Sequence, residues 1–352
     1  MSNLTETYTR SNTYKTAMLI IVTVAVPVML CVSISVGAAS VPLRETVLIL
    51  CGFESQERFV RIIMNIRLPQ ALAAILAGAG LSIAGATMQG VLRNPLASPF
   101  TLGISNAAAF GAALMLLIGG GRVIAQDNTL TSPGLSQHWI AMGAFIACVL
   151  TSVMILALSR LRGSRSETIL LLGVAFSSLF SAGLMFMQYV ADESRLAAIV
   201  YWTFGDTTRA TWNTIGLMVV CIVPVSVYFL SQAWNYNALV FGEETAQGLG
   251  VPVLRLRMLT MILASLLTAL LVSLLGIIGF VGLVVPHLSR LFVGSDNRFL
   301  LPFSLVFGAL LLLVADTAAR LLLEQRTLPV SILTAFIGVP VFLSLLLGRR
   351  NF

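Results

Sequence analysis

Long apolar blocks alternate with short polar segments along the whole chain. A bilayer's hydrocarbon core is about 30 Å thick, and a helix rising about 1.5 Å per residue needs about 20 residues to cross it. On that ruler the sequence predicts spans at 17–37, 68–90, 100–119, 139–158, 169–190, 213–231, 258–275, 277–292, 299–315 and 329–347. The expected fold is an all-α membrane protein of about ten transmembrane helices. Residues 1–16 form an N-terminal tail, and 17–352 a single transmembrane domain. Met258 to Phe292 has no polar break and is too long for one span. Ser273 with Gly276, Gly279 and Gly282 favours a turn between two short helices. Arg10 and Lys15 before the first span, and Gly37-Ala38-Ala39 after it, resemble a signal peptide. The apolar run exceeds a normal signal core, which favours a retained helix.

Composition agrees. Hydrophobic residues make up 58% and charged residues 10%, with mean hydropathy +0.96. A soluble domain carries about 25% charged residues, so a soluble enzyme, a disordered chain and a disulfide-stapled secreted fold are excluded. The net charge is +7. The arginines are scattered singly between apolar blocks, a pattern that sets membrane orientation rather than binding nucleic acid. Their modest bias places the N-terminus inside, together with Arg93, Arg165, Arg255, Arg257, Arg290 and Arg298. Lys15 is the sole lysine and has no glycine-rich turn before it, so the chain carries no P-loop. If ATP is used, a partner brings the ATPase. Cys31, Cys51, Cys148 and Cys221 lack CxxC spacing, and His138 and His287 lie far apart, so no metal site is expected.

Five segments carry candidate chemistry. Arg67-Leu68-Pro69-Gln70 opens the second span, with Pro69 fitting a first helical turn and Arg67 able to face water. Arg93-Asn94-Pro95-Leu96-Ala97-Ser98-Pro99 breaks the helix between two spans, as either a gate or a tight turn. In the loop 237–257, Gly242-Glu243-Glu244 through Ala246, Leu249, Gly250 and Val251 predicts a short amphipathic helix ended by glycine, a plug for a partner's groove or a solvated loop. Gly279 to His287 places Pro286 and His287 at the end of a glycine-rich span. Asp316 and Arg320, four apart, share a helix face and can pair. Small residues at spacing four, Gly78 with Ser82 and Gly103 with Ala107 and Gly111, favour close helix packing.

Taken together, these motifs resemble the iron-siderophore, haem and cobalamin importer permeases of the FecCD family, from about Arg67 to Arg350. The resemblance implies the type II ABC importer permease fold, with ten helices per subunit around a pore shared with a second copy or a related permease. It implies two cytoplasmic P-loop ATPase subunits that use ATP and Mg, and a periplasmic or lipid-anchored substrate-binding protein. The chain itself would bind no cofactor and catalyse no reaction. Gly242, Glu243, Glu244, Ala246, Leu249 and Gly250 would belong to the coupling helix seated on the ATPase. Asn94, Pro95 and Leu96 would form one part of the cytoplasmic gate, and Ser166, Glu167 and Thr168 the other. Arg67 and Arg320 would meet glutamates on the binding protein. The family often has a second arginine where Gln70 stands, and Arg61 or Arg326 would have to replace it. Glu167 departs from the small hydroxyl residues expected there. The implied location is a bacterial or archaeal cytoplasmic membrane with both termini cytoplasmic.

The expected cargo is a ferric chelate, with cobalamin, cobinamide or haem as the alternative. An ion-coupled carrier needs titratable groups at mid-membrane, where the predicted spans place almost none. An intramembrane protease needs paired acids or a serine–histidine pair, and neither can be assembled.

Overall fold

The computed structural model describes residues 2–37, 41–53, 56–119, 137–161, 163, 165–322 and 328–347. Helix α1 (Ser2–Ser35) is followed by the short helices α2 (Leu43–Leu50) and α3 (Glu57–Ile62). A π-helical turn at Ile63–Arg67 joins α3 to α4 (Leu68–Val91). Next come α5 (Ile104–Ile118), α6 (Gln137–Arg160), α7 (Ser166–Val190), α8 (Glu193–Thr203) and α9 (Trp212–Ser231). The chain closes with α10 (Ala233–Val240), α11 (Glu243–Gly248), α12 (Val253–Leu275), α13 (Val281–Val293), α14 (Asn297–Leu321) and α15 (Val330–Leu347). The described residues contain no strand.

Among the described residues seven helices are long and apolar enough to cross a membrane, and three shorter apolar helices accompany them. Each overlaps one of the predicted spans. The division of 258–292 falls as the glycines indicated. Gly276 ends α12 at φ +82°, and a Cβ there would lie 2.8 Å from the Phe204 carbonyl oxygen, so only glycine fits.

The centre is α4, which packs against α14, α12, α13 and α9. Small residues allow this. A Cβ on Gly78 would meet the Gly308 carbonyl oxygen at 2.2 Å, and one on Gly85 would meet that of Gly282 at 1.7 Å. Ser82 donates to the Ser304 carbonyl at 2.7 Å, so the Gly78–Ser82 pair is a packing seam. Gly111 does the same against Gly143 of α6. By contrast only 11% of the apolar stretch of α7 is buried within this chain.

Helix α1 connects the two polar ends of the bundle. Lys15 lies 5.4 Å from the Phe299 ring at one end. At the other, Ser35 hydrogen-bonds Thr46 and its carbonyl accepts from Arg67. The ends are termed the Lys15 face and the Arg320 face.

Candidate functional site

On the Lys15 face, α11 is framed by two glycines that need left-handed backbone, Gly242 at φ +120° and Gly250 at φ +84°. Ala246 donates back to the Gly242 carbonyl and Val251 to the Ala246 carbonyl, closing the turn on both sides. The predicted short helix is present, but its faces divide differently from the amphipathic plug read from sequence. Ala246 and Val251 point into the protein, whereas Leu249 and Phe241 are 69% and 77% exposed. Glu244 is also exposed. Two apolar knobs and an acid are therefore offered outward.

The preceding helix fixes where α11 sits. Asn237 of α10 donates to Asp296 at 2.8 Å and accepts from the Asn297 backbone at 2.8 Å, tying α10 to the start of α14. Arg298 grips Asp296 in a fork and stacks on Trp234 at 4.5 Å. Burial pushes the Asp296 carboxyl up, but the hydrogen bonds from Arg298 and Asn237 outweigh it and hold the group at about 2.

The segment after α4 folds as its prolines and Asn94 dictate. Arg93 takes φ +49°, and the Asn94 side chain accepts from the Leu96 N–H at 2.8 Å, the local turn that asparagine favours. Leu96 is 44% exposed, and Asn94 and Pro95 are half-buried. Ser166, Glu167 and Thr168 open α7, where Glu167 lies in the first turn and its charge suits the helix N-terminus. The structure brings these separated segments together. A cleft of about 590 Å³ is lined by Arg93, Asn94, Ser166 and Glu167 together with Glu243 and Arg257. Pro95 lines a neighbouring cleft of about 330 Å³ with His287 and Arg290. Leu96 and Thr168 line neither.

On the Arg320 face, Arg67 and Arg320 are engaged by the chain itself. Arg67 is 5% exposed and donates to the carbonyls of Ile34 and Ser35 at 2.7 and 3.0 Å, capping α1. Arg320 Nε sits 3.3 Å from Asp316 Oδ2, and its Nη2 donates to Ser33 Oγ at 2.5 Å. The expected Asp316–Arg320 pair is therefore present and buried. Gln70 joins it, donating to Asp316 at 3.0 Å, and Thr207 donates to the same carboxylate. At this position the chain places a neutral donor against a buried acid. Arg61 stays exposed and pairs with Glu57, and Arg326 lies outside the described residues.

Sequence reasoning missed Arg257, Thr207 and Phe241. Arg255 and Arg257 read alike as loop charges, but they sit at the start of α12, the first exposed and the second buried. A signal existed in the apolar neighbours Leu256 and Met258 and in the acid at Glu243.

The sequence matches the FecCD transport family over residues 22–348. The chain belongs to that family. A protein of Methanocaldococcus jannaschii assigned as an ABC transporter permease is 47% identical, covering 90% of this chain and 89% of the relative. The hemin transport system permease HmuU of Yersinia pestis is 37% identical, covering 91% of this chain and 92% of the relative. A vitamin B12 import permease of Vibrio parahaemolyticus is 36% identical, covering 83% of this chain and 84% of the relative. Among solved structures, an inward-facing transporter assigned to the metal-chelate ABC type superposes with TM-score 0.81 at 31% identity, covering 94% of this chain and 99% of that one. FecCD proteins are transport permease subunits, not enzymes, and this chain is a multi-pass ABC importer permease.

Proposed function

We propose that this FecCD permease moves a ferric chelate across the cytoplasmic membrane of a bacterium or archaeon, driven by two cytoplasmic P-loop ATPases. The Lys15 face is cytoplasmic. Each ATPase seats on α11 and binds the ATP and Mg. An external binding protein delivers the chelate to the Arg320 face, and a second copy or a related permease completes the pore. The main support is the cleft that joins Asn94, Ser166 and Glu167 to Glu243 of α11, because it sets both gate segments beside the ATPase contact. Docking through Arg67 or Arg320 would require their bonds to α1 to open.

The metal-chelate assignment of the structural neighbour supports an iron chelate. The hemin relative supports haem as a second reading, and the vitamin B12 relative supports cobalamin. An ion-coupled mechanism gains no support. Among the described residues Asp316 is the single buried carboxylate, and it is already paired.

The test is uptake by vesicles holding the permease, its ATPases and its binding protein. Labelled ferric chelate should accumulate only with ATP inside the ATPase compartment. Preferred uptake of hemin or cobalamin would replace the cargo, and uptake without ATP would overturn the importer reading.

A further inference from the structure

Arg257 carries a guanidinium with five N–H donors, yet the residue is only 3% exposed. A buried arginine needs partners, and these partners belong to two other segments. Its Nη2 donates to Glu243, the first residue of α11. Its Nε points at the carbonyl of Val91, the last residue of α4, at 3.5 Å. Val91 lies two residues before Arg93, where the gate segment begins. The guanidinium is planar, so donors on its fork keep a fixed spacing. Glu243 and Val91 are therefore bridged by one planar group.

The other side of the same helical end is held elsewhere. Gln89 accepts from Arg290 at 2.6 Å and donates to the Leu283 carbonyl at 3.2 Å, both on α13. The stem of the gate is thus anchored to α13 through Gln89 and linked to α11 through Arg257. Asn94 in turn donates to the Gln89 carbonyl at 3.1 Å, so the gate segment, its α13 anchor and the Arg257 link meet at one helical end.

We infer that Arg257 is the positioning residue that carries movement of α11 to the Asn94–Leu96 gate, so that ATPase motion opens or shuts the pore through the Glu243–Arg257–Val91 contact. This rests on α11 being the ATPase contact. A purely structural arginine would change stability without altering the yield of transport per ATP.

The experiment uses the complete transporter in vesicles and reads cargo moved per ATP hydrolysed. Arg257→Gln should lower that ratio about tenfold, within the roughly 5–150-fold span of ordinary coupling free energies, while hydrolysis continues. Arg257→Lys keeps the charge without the fork, and should fall between Gln and the native residue. It decides the matter if Arg257→Gln fails to fold. In parallel, Leu249→Cys is cross-linked to the ATPase. A cross-link with an unchanged ratio in the Arg257 variants overturns the relay alone, as does hydrolysis that falls in step with transport. No cross-link overturns the coupling role of α11, and the relay with it.

Discussion

At the far end of α14 one carboxylate organises four segments of chain. Asp316 accepts from Gln70 of α4 and from Thr207, and pairs with Arg320, which also holds Ser33 of α1. Removing one partner of a buried pair leaves an uncompensated charge, a loss of about 3–5 kcal/mol. Arg320→Met should therefore lower the thermal midpoint of the detergent-solubilised chain sharply. Gln70→Leu should cost about 1–3 kcal/mol, because the acid keeps Thr207 and Arg320. Equal losses from the two would contradict this ranking. Asp296 gives a pH signature. Its folded pKa of about 2 lies below the usual carboxylate value of about 4, so its bonds stabilise the fold above about pH 4 and are lost as pH falls through about 2. Asp296→Asn should destabilise at neutral pH, and the gap from the native chain should narrow over that acid window.

Helix contacts depend on whether a neighbouring backbone occupies the space beside each glycine. Gly85→Ala drives a methyl into the Gly282 carbonyl and should separate α4 from α13, at about 1–3 kcal/mol or more. Gly90, on the same helix, has nothing within 4 Å of the place a methyl would take, so Gly90→Ala should be neutral or stabilise by up to about 1 kcal/mol. Thermal unfolding of the two variants side by side checks the sign. The spanning helices were legible in sequence because hydropathy and length decide them, and Gly276 marked the break before α13. The short helices α8 and α10 were not, since neither has the length that the membrane ruler detects. The residue types of the proposed gate and of α11 were readable as local motifs. The resemblance paired the Asn94 and Glu167 segments, but local pattern could not add Glu243 and Arg257 to the same cleft, because these residues are far apart along the chain. The partner of Gln70 lies 246 residues away, beyond any local pattern.

For the whole molecule, the two faces imply a sidedness that natural and introduced thiols can read. Cys51 is exposed after α2 near the Arg320 face, and Leu249 is exposed on the Lys15 face. In cells expressing the permease without its ATPases, a membrane-impermeant thiol reagent should label Cys51 in intact cells, and Leu249→Cys only after permeabilisation. The reverse pattern would invert the orientation. The lengths of the shorter helices carry a consequence of another kind. Helices α5 and α13 have 15 and 13 residues. At about 1.5 Å per residue they reach about 23 and 20 Å, against a hydrocarbon layer of about 30 Å. Irregular backbone at 92–103 and 276–280 completes the crossing with polar carbonyls. Residues 276–280 are buried or half-buried within the chain, the condition under which irregular backbone is tolerated at membrane depth, so these two crossings depend on their protein neighbours where the longer helices satisfy their own backbone.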